Sequence, residues 1–356
     1  MRKTIYLNWN WYFKRDFLED HIRNYKNILG FERVDIPHTN QVLDYNYLPK
    51  KIYELVSTYK KVIFINEEYQ GKVLKLVFEG VAHACDLYLN EHFLLRHEGG
   101  YTEFEVDISN VALYGQENYL TVIVDSTENE NIPSFGLRVD YLGYGGIYRE
   151  VQLLVLEQNH IERVYLDHDN IDGNDINLRV ETKREEGKIK VDILDKGQII
   201  YENFYPVTGK ISSFKATLQE KVLWCVDNPY LYDIQVQLLI SDQIVDMVEH
   251  RFGFREAKFT KEGFFLNRKP LKLRGLNRHQ SYPYVGYAMP KSAQEKDADI
   301  LKFDLGCNIV RTSHYPQSKH FLNRCDEIGL LVFEEIPGWN YIGGKKFQEN
   351  TLANVR

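Results

Sequence analysis

Sulfur is sparse and scattered in this chain. Its four cysteines, Cys85, Cys225, Cys307 and Cys325, stand far apart, and none falls in a CxxC or other metal-ligand spacing. That pattern speaks against a disulfide scaffold or a cysteine-built zinc site and predicts reduced thiols. No apolar run reaches the length of a membrane span. At the start, Asn8-Trp9-Asn10 interrupts the basic Met1-Arg2-Lys3 before an apolar leader core can form. The expected location is cytoplasmic, with no membrane partner. Basic clusters are also missing, and the net charge of -7 argues against nucleic acid as a partner.

The aromatic content, by contrast, is high, with 25 Tyr, 19 Phe and 4 Trp. Surplus tyrosine suits β-sheet surfaces and carbohydrate sites alike, so by itself it decides nothing. A length of 356 residues suits two or three domains.

Up to about residue 157 the pattern is β. Lys72 to Phe78, Cys85 to Leu89, Phe104 to Ile108 and Tyr119 to Val124 are short apolar runs. Asn90-Glu91, Gly99-Gly100 and Tyr114-Gly115-Gln116 supply turns between them, which predicts an antiparallel sandwich over 1–157. Trp9 and Trp11 could form a sugar-stacking platform, but alternate aromatics on a strand fit core and edge packing better.

A second β segment is expected over 158–258. Its six strand candidates run from Ile161 to Leu166, Ile176 to Thr182, Lys188 to Leu194, Gln198 to Tyr201, Ile234 to Ile240 and Val245 to Phe252. An immunoglobulin-like sandwich needs about seven. Trp224 and Asn228-Pro229-Tyr230-Leu231-Tyr232 mark a corner.

From 259 to 356 the period changes. Leu271 to Arg274 reads as a strand, and Ser292-Ala293-Gln294-Glu295 reads as a capping box. The helix it opens has Ala298, Leu301 and Leu305 on one face and Gly306 at its end. Strand 308–310, helix 317–328 and strand 330–333 follow. This alternation predicts parallel strands with crossover helices. A closed (β/α)8 barrel takes at least about 200 residues, so the segment holds about three of its βα units, and the chain reads as a fragment of a longer protein.

Polar residues gather where these strands end. Asn277-Arg278-His279 follows the first, Arg311-Thr312-Ser313-His314 the second and Glu334-Glu335 the third. Parallel strands carry their C-terminal ends to one rim, which is where such folds bind ligands.

The run Asn308 to Phe333, NIVRTSHYPQSKHFLNRCDEIGLLVF, resembles the long signature of glycoside hydrolase family 2, the β-galactosidase and β-glucuronidase family. Leu273 to His279 resembles its first barrel strand. Gly99 to Phe104 and Gly145 to Val151 are similar to its sugar-binding sandwich, and Asp227 to Tyr232 to its immunoglobulin-like domain. The resemblance covers the whole chain. It implies a jelly-roll sugar-binding sandwich, an immunoglobulin-like sandwich and the start of a TIM barrel. It also implies retaining hydrolysis of β-linked sugars from the non-reducing end, by two glutamates about 5 Å apart, with no cofactor. β-Galactosidase comes first among the implied activities and β-glucuronidase second. Members often form dimers or tetramers, and no interface is legible here.

In the family both catalytic glutamates lie on later strands, so the resemblance places them beyond Arg356 and leaves this chain inactive alone. Glu334 and Glu335 cannot replace them, because neighbours on a strand point to opposite faces.

Matched residue by residue, the resemblance implies that Asp140, His279, Arg311, His314 and Glu335 hold the sugar. Asp140 also fits an ordinary turn in Val139 to Gly143, and Arg311 with Glu335 also fits a structural ion pair. Asn277, Arg278 and Tyr315 are expected to shape loops. The metal-dependent members' Glu and His ligands correspond to Trp339 and Tyr341 here, so no magnesium site is expected. A non-catalytic lectin is the rival reading, and the βα units count against it.

Overall fold

The computed structural model describes residues 1–42, 50–134 and 141–355. Within them the first domain is a sandwich of two antiparallel sheets. One sheet orders Glu32–Val34, Trp11–Lys14, Val56–Ile65, Gln116–Asp125, Ala84–Leu89 and His92–Glu98. The other orders Lys3–Tyr6, Val151–Leu156, Val73–Phe78 and Phe104–Asp107. Alternate side chains from both sheets fill the space between, among them Leu76, Phe78, Leu87, Val122 and Leu153. Trp11 belongs to this core whereas Trp9 is exposed, which agrees with the core-and-edge reading.

The second domain is an immunoglobulin-like sandwich. Ile161–Asp167, Asp175–Thr182 and Ile211–Thr217 form one sheet. Gln198–Pro206, Lys188–Asp195, Tyr232–Ile240 and Gln243–Phe252 form the other. The strand absent from the sequence reading is Ile211–Thr217, whose inward positions Ser212 and Ala216 carry little apolar surface and leave Phe214 as its one large core contact. Core residues Ile176, Val180, Val191, Ile234 and Val236 seal the interior.

A small antiparallel sheet (Ala257–Thr260, Gly263–Leu266, Lys269–Pro270) leads into three parallel strands, Gly275–Asn277, Ile309–Thr312 and Leu331–Glu334. The first parallel strand therefore lies past the expected Leu271 to Arg274. Leu271 and Leu273 instead pack against the cluster of Trp224, Val226, Leu266 and Leu331. The other two strands run one or two residues beyond the expected ends and include Arg311, Thr312 and Glu334.

Gly275 faces the backbone carbonyl of Ile309 so closely that a Cβ there would collide with it. The first two parallel strands thus meet without a side chain between them.

Two crossover helices cover one face of this sheet. The first spans Lys291–Asp299 and continues as a π-turn through Ile300–Asp304. The expected capping box does not form: Pro290 is the N-cap, which puts Ser292 inside the first turn, where its hydroxyl caps nothing. Gly306 ends this helical stretch in the left-handed region, as expected. The second helix, Lys319–Ile328, is capped by the Ser318 hydroxyl and closed by left-handed Gly329. Ala298, Leu301, Phe321, Cys325 and Val310 form the core between helices and sheet.

Polar clamps join the parts. Arg149 of the first sandwich donates to Tyr101 O (3.0 Å), to Gln280 Oε1 (2.9 Å) and to Pro316 O (2.7 Å). It thereby ties the sandwich to the loops after the first and second parallel strands. Lys302 donates to Val226 O (2.7 Å) and Gly329 O (2.9 Å), and Trp224 Nε1 to Asp326 O (2.8 Å). These fix the second sandwich against the helices. Among the described residues no helix is long and apolar enough to cross a membrane.

Candidate active site

Parallel pairing sets which side chains share a face. Asn277, Arg311 and Phe333 are cross-strand partners and point away from the helices. Thr312 and Glu334, one step further, point toward them. The next residue after the third strand, Glu335, returns to the open face beside Arg311.

There the predicted residues converge. Arg311 Nε donates to Glu335 Oε1, and His314 Nδ1 lies 3.0 Å from Glu335 Oε2. The His279 and His314 rings are 5.6 Å apart at a steep angle, and His279 Nδ1 is 3.2 Å from the Tyr315 hydroxyl. Four of the five expected sugar-holding residues (His279, Arg311, His314 and Glu335) thus form one group. The fifth, Asp140, lies outside the described residues. The ion pair between Arg311 and Glu335 exists, so the structural reading of that pair and the site reading coincide in one contact.

Aromatic rings wall the group. Trp339 stacks on His314 with centroids 5.0 Å apart and planes 14° from parallel. Tyr141 reaches it from the first sandwich, 4.8 Å from the His279 ring and 5.9 Å from that of His314. Beneath lie the buried tyrosines Tyr101, Tyr148, Tyr287 and Tyr315, with Tyr101 and Tyr315 stacked at 4.2 Å. Burial pushes the pKa of Tyr101, Tyr287 and Tyr315 up, so their hydroxyls stay protonated.

Arg278 faces the other way. It pairs with Asp297 (2.7 Å), donates to Gln294 Oε1 (2.8 Å) and Gln317 Oε1, and lies 4.0 Å over the Phe321 ring. Burial lowers its pKa and Asp297 opposes that shift. It braces the loop, as expected.

Chemically, the group offers imidazole donors and acceptors, a guanidinium and flat apolar surfaces. These suit a polyhydroxylated ring, with hydroxyls to satisfy and C–H faces to cover. Among the described residues it does not offer two opposed carboxylates: Glu335 is engaged by Arg311 and His314, while Glu334 lies on the other face of its strand with its pKa raised by desolvation. Among the described residues no group of three or more His, Cys, Asp or Glu side chains could hold a metal ion.

Two residues at the site had no assigned role from sequence, Tyr141 and Trp339. The signal for Trp339 was available, since an aromatic just past a parallel strand's C-terminal end faces the same rim as the polar residues.

Comparison with known proteins supplies the family. The family model described as the sugar binding domain of glycosyl hydrolases family 2 matches residues 38–157. The model described as glycosyl hydrolases family 2 matches 159–255, and that of the family's TIM barrel domain 257–354. A β-galactosidase of Thermoanaerobacterium thermosulfurigenes is 48% identical over 370 residues, covering 100% of this chain and 51% of that protein. One from Thermoanaerobacter pseudethanolicus is 40% identical, covering 100% and 49%. Among solved structures, a Bacteroides uniformis β-glucuronidase superimposes with a TM-score of 0.87 at 25% identity, covering 100% of this chain and 44% of that one. The chain spans about half the length of the curated relatives it matches.

Proposed function

The chain belongs to glycosyl hydrolase family 2, and on that premise we propose that it forms the substrate-holding part of a retaining exo-β-glycosidase, with β-galactosidase its activity. The observation that carries this reading is the meeting of His279, Arg311, His314 and Glu335 at the C-terminal ends of three parallel strands. Similarity to two β-galactosidases at 48% and 40% identity supports a galactoside over a glucuronide.

In this proposal His279 and His314 take the hydroxyls of the terminal sugar, and Arg311 completes the polar wall with Glu335 behind it. Asp140 joins them through the family resemblance. Trp339 and Tyr141 cover apolar ring faces. The proton donor and the nucleophile belong to βα units outside this sequence, so the chain alone binds sugar without cleaving it.

The test is a comparison of nitrophenyl β-galactoside, β-glucuronide and β-mannoside as substrates of the full-length protein. Galactoside should have the highest kcat/KM; a preference for glucuronide would overturn the choice. Galactose titrated into this chain should perturb His279 and His314 resonances, and no perturbation at either would remove the site.

A further inference from the structure

Both oxygens of the Glu335 carboxylate are used within the protein, one by Arg311 Nε and the other by His314 Nδ1 at 3.0 Å. A carboxylate held against a guanidinium is ionised and can only accept hydrogen bonds. The contact with His314 therefore requires the proton on Nδ1. Arg311 Nη2 also approaches that nitrogen, at 3.4 Å, and it too only donates. The two demands are incompatible, and the shorter contact to a full negative charge prevails. The ring has little room to turn over. Trp339 lies flat against it, the Tyr141 and His279 rings crowd it, and His314 is only 7% exposed.

We propose that Glu335 is a positioning residue that fixes His314 as its Nδ1–H tautomer, leaving Nε2 as an acceptor for a hydroxyl of the bound sugar. Among the described residues His314 Nε2 has no protein hydrogen-bond partner of its own. Glu335 then touches no substrate. It acts through the imidazole, and the same carboxylate holds Arg311 at a set distance from that ring. The part that concerns sugar rests on the galactosidase reading above; the tautomer is a property of the protein alone.

The test is nitrogen-15 histidine labelling of the protein, with two-bond proton–nitrogen spectra at neutral pH. His314 should show a protonated Nδ1 and a bare Nε2. In Glu335→Ala the proton should move substantially to Nε2, and galactose affinity should fall about tenfold, the worth of one hydrogen bond. Glu335→Gln, whose amide oxygen can still accept from Nδ1, should restore much of both; it also serves if the alanine variant does not fold. Unchanged signals from the half-buried His38, His83 and His97 would report an intact fold. A His314 protonated on Nε2 in the parent protein, or a tautomer indifferent to Glu335, would overturn the proposal. A switched tautomer with unaltered galactose affinity would overturn the acceptor role of Nε2. If the parent protein binds glucuronate in place of galactose, the fault lies with the galactoside reading, and the tautomer result stands apart from it.

Discussion

In the first sandwich both sheets turn apolar faces to a shared interior, and Leu76, Phe78, Leu87, Val122 and Val124 are fully buried. In the parallel segment only the helix side is closed in this way, by Val310, Phe321 and Cys325. Its opposite face leaves Phe333 49% exposed beside Arg311. Past the strand ends the site residues are instead walled by Tyr141, Trp339 and the buried tyrosines, and polar clamps tie their loops to the first sandwich. Such clamps orient groups well, but each contributes less than a sealed apolar layer.

Acid should produce the widest contrast. Burial holds His38, His83 and His97 of the sandwich uncharged, each with its pKa pushed down to about 4. An unfolded chain protonates them near 6.5, so their contribution is complete above about pH 6.5. It is lost as pH falls toward 4, by roughly 3 kcal/mol each. Amide exchange between pH 7 and 4.5 should report falling protection in the sandwich. Protection that persists there while the parallel segment opens would reverse the comparison.

Truncations come next. Leu76→Ala should destabilise the sandwich by about 2–5 kcal/mol in urea unfolding. Phe333→Ala, on the open face, should change stability by less than about 1 kcal/mol. Equal effects would mean the two faces are packed alike.

Arg149→Met probes the clamp between them. It strands Gln280 and three carbonyls, at a cost of about 2–3 kcal/mol. The loss should show in the amides of residues 278–280 and 313–317 before the sandwich core. The smallest effect is expected from Ser318→Ala. It removes the cap of the second crossover helix, worth about 1 kcal/mol, and leaves both sandwiches unchanged by thermal melting.

The parallel order was legible because the period of apolar residues changes near 270 and polar residues crowd the strand ends. The position of the first strand was not. Leu271 and Leu273 alternate like strand residues, yet that alternation serves packing on Trp224. Register with the neighbouring strand starts only at Gly275, next to the Arg274 carbonyl that accepts from Asn308 N. Ser292 looked like a cap because its spacing to Glu295 is right; Pro290, with its fixed φ, starts the helix earlier. Ile211–Thr217 went unseen because two of its three inward positions, Ser212 and Ala216, are too small to show an apolar alternation. At the site, residue types, their common rim and the pairing of Arg311 with Glu335 could be read, but His314 as the second partner of Glu335 could not. That Glu335 serves two side chains at once depends on register between strands far apart in sequence.

Gly275 carries a consequence for variation at this locus. With Ile309's carbonyl occupying the space a side chain would need, even alanine acts as a wedge between the strands bearing Asn277 and Arg311. Such a wedge would widen the gap between His279 and His314. A saturation scan should find this remote, chemically silent position as intolerant as the histidines it keeps apart.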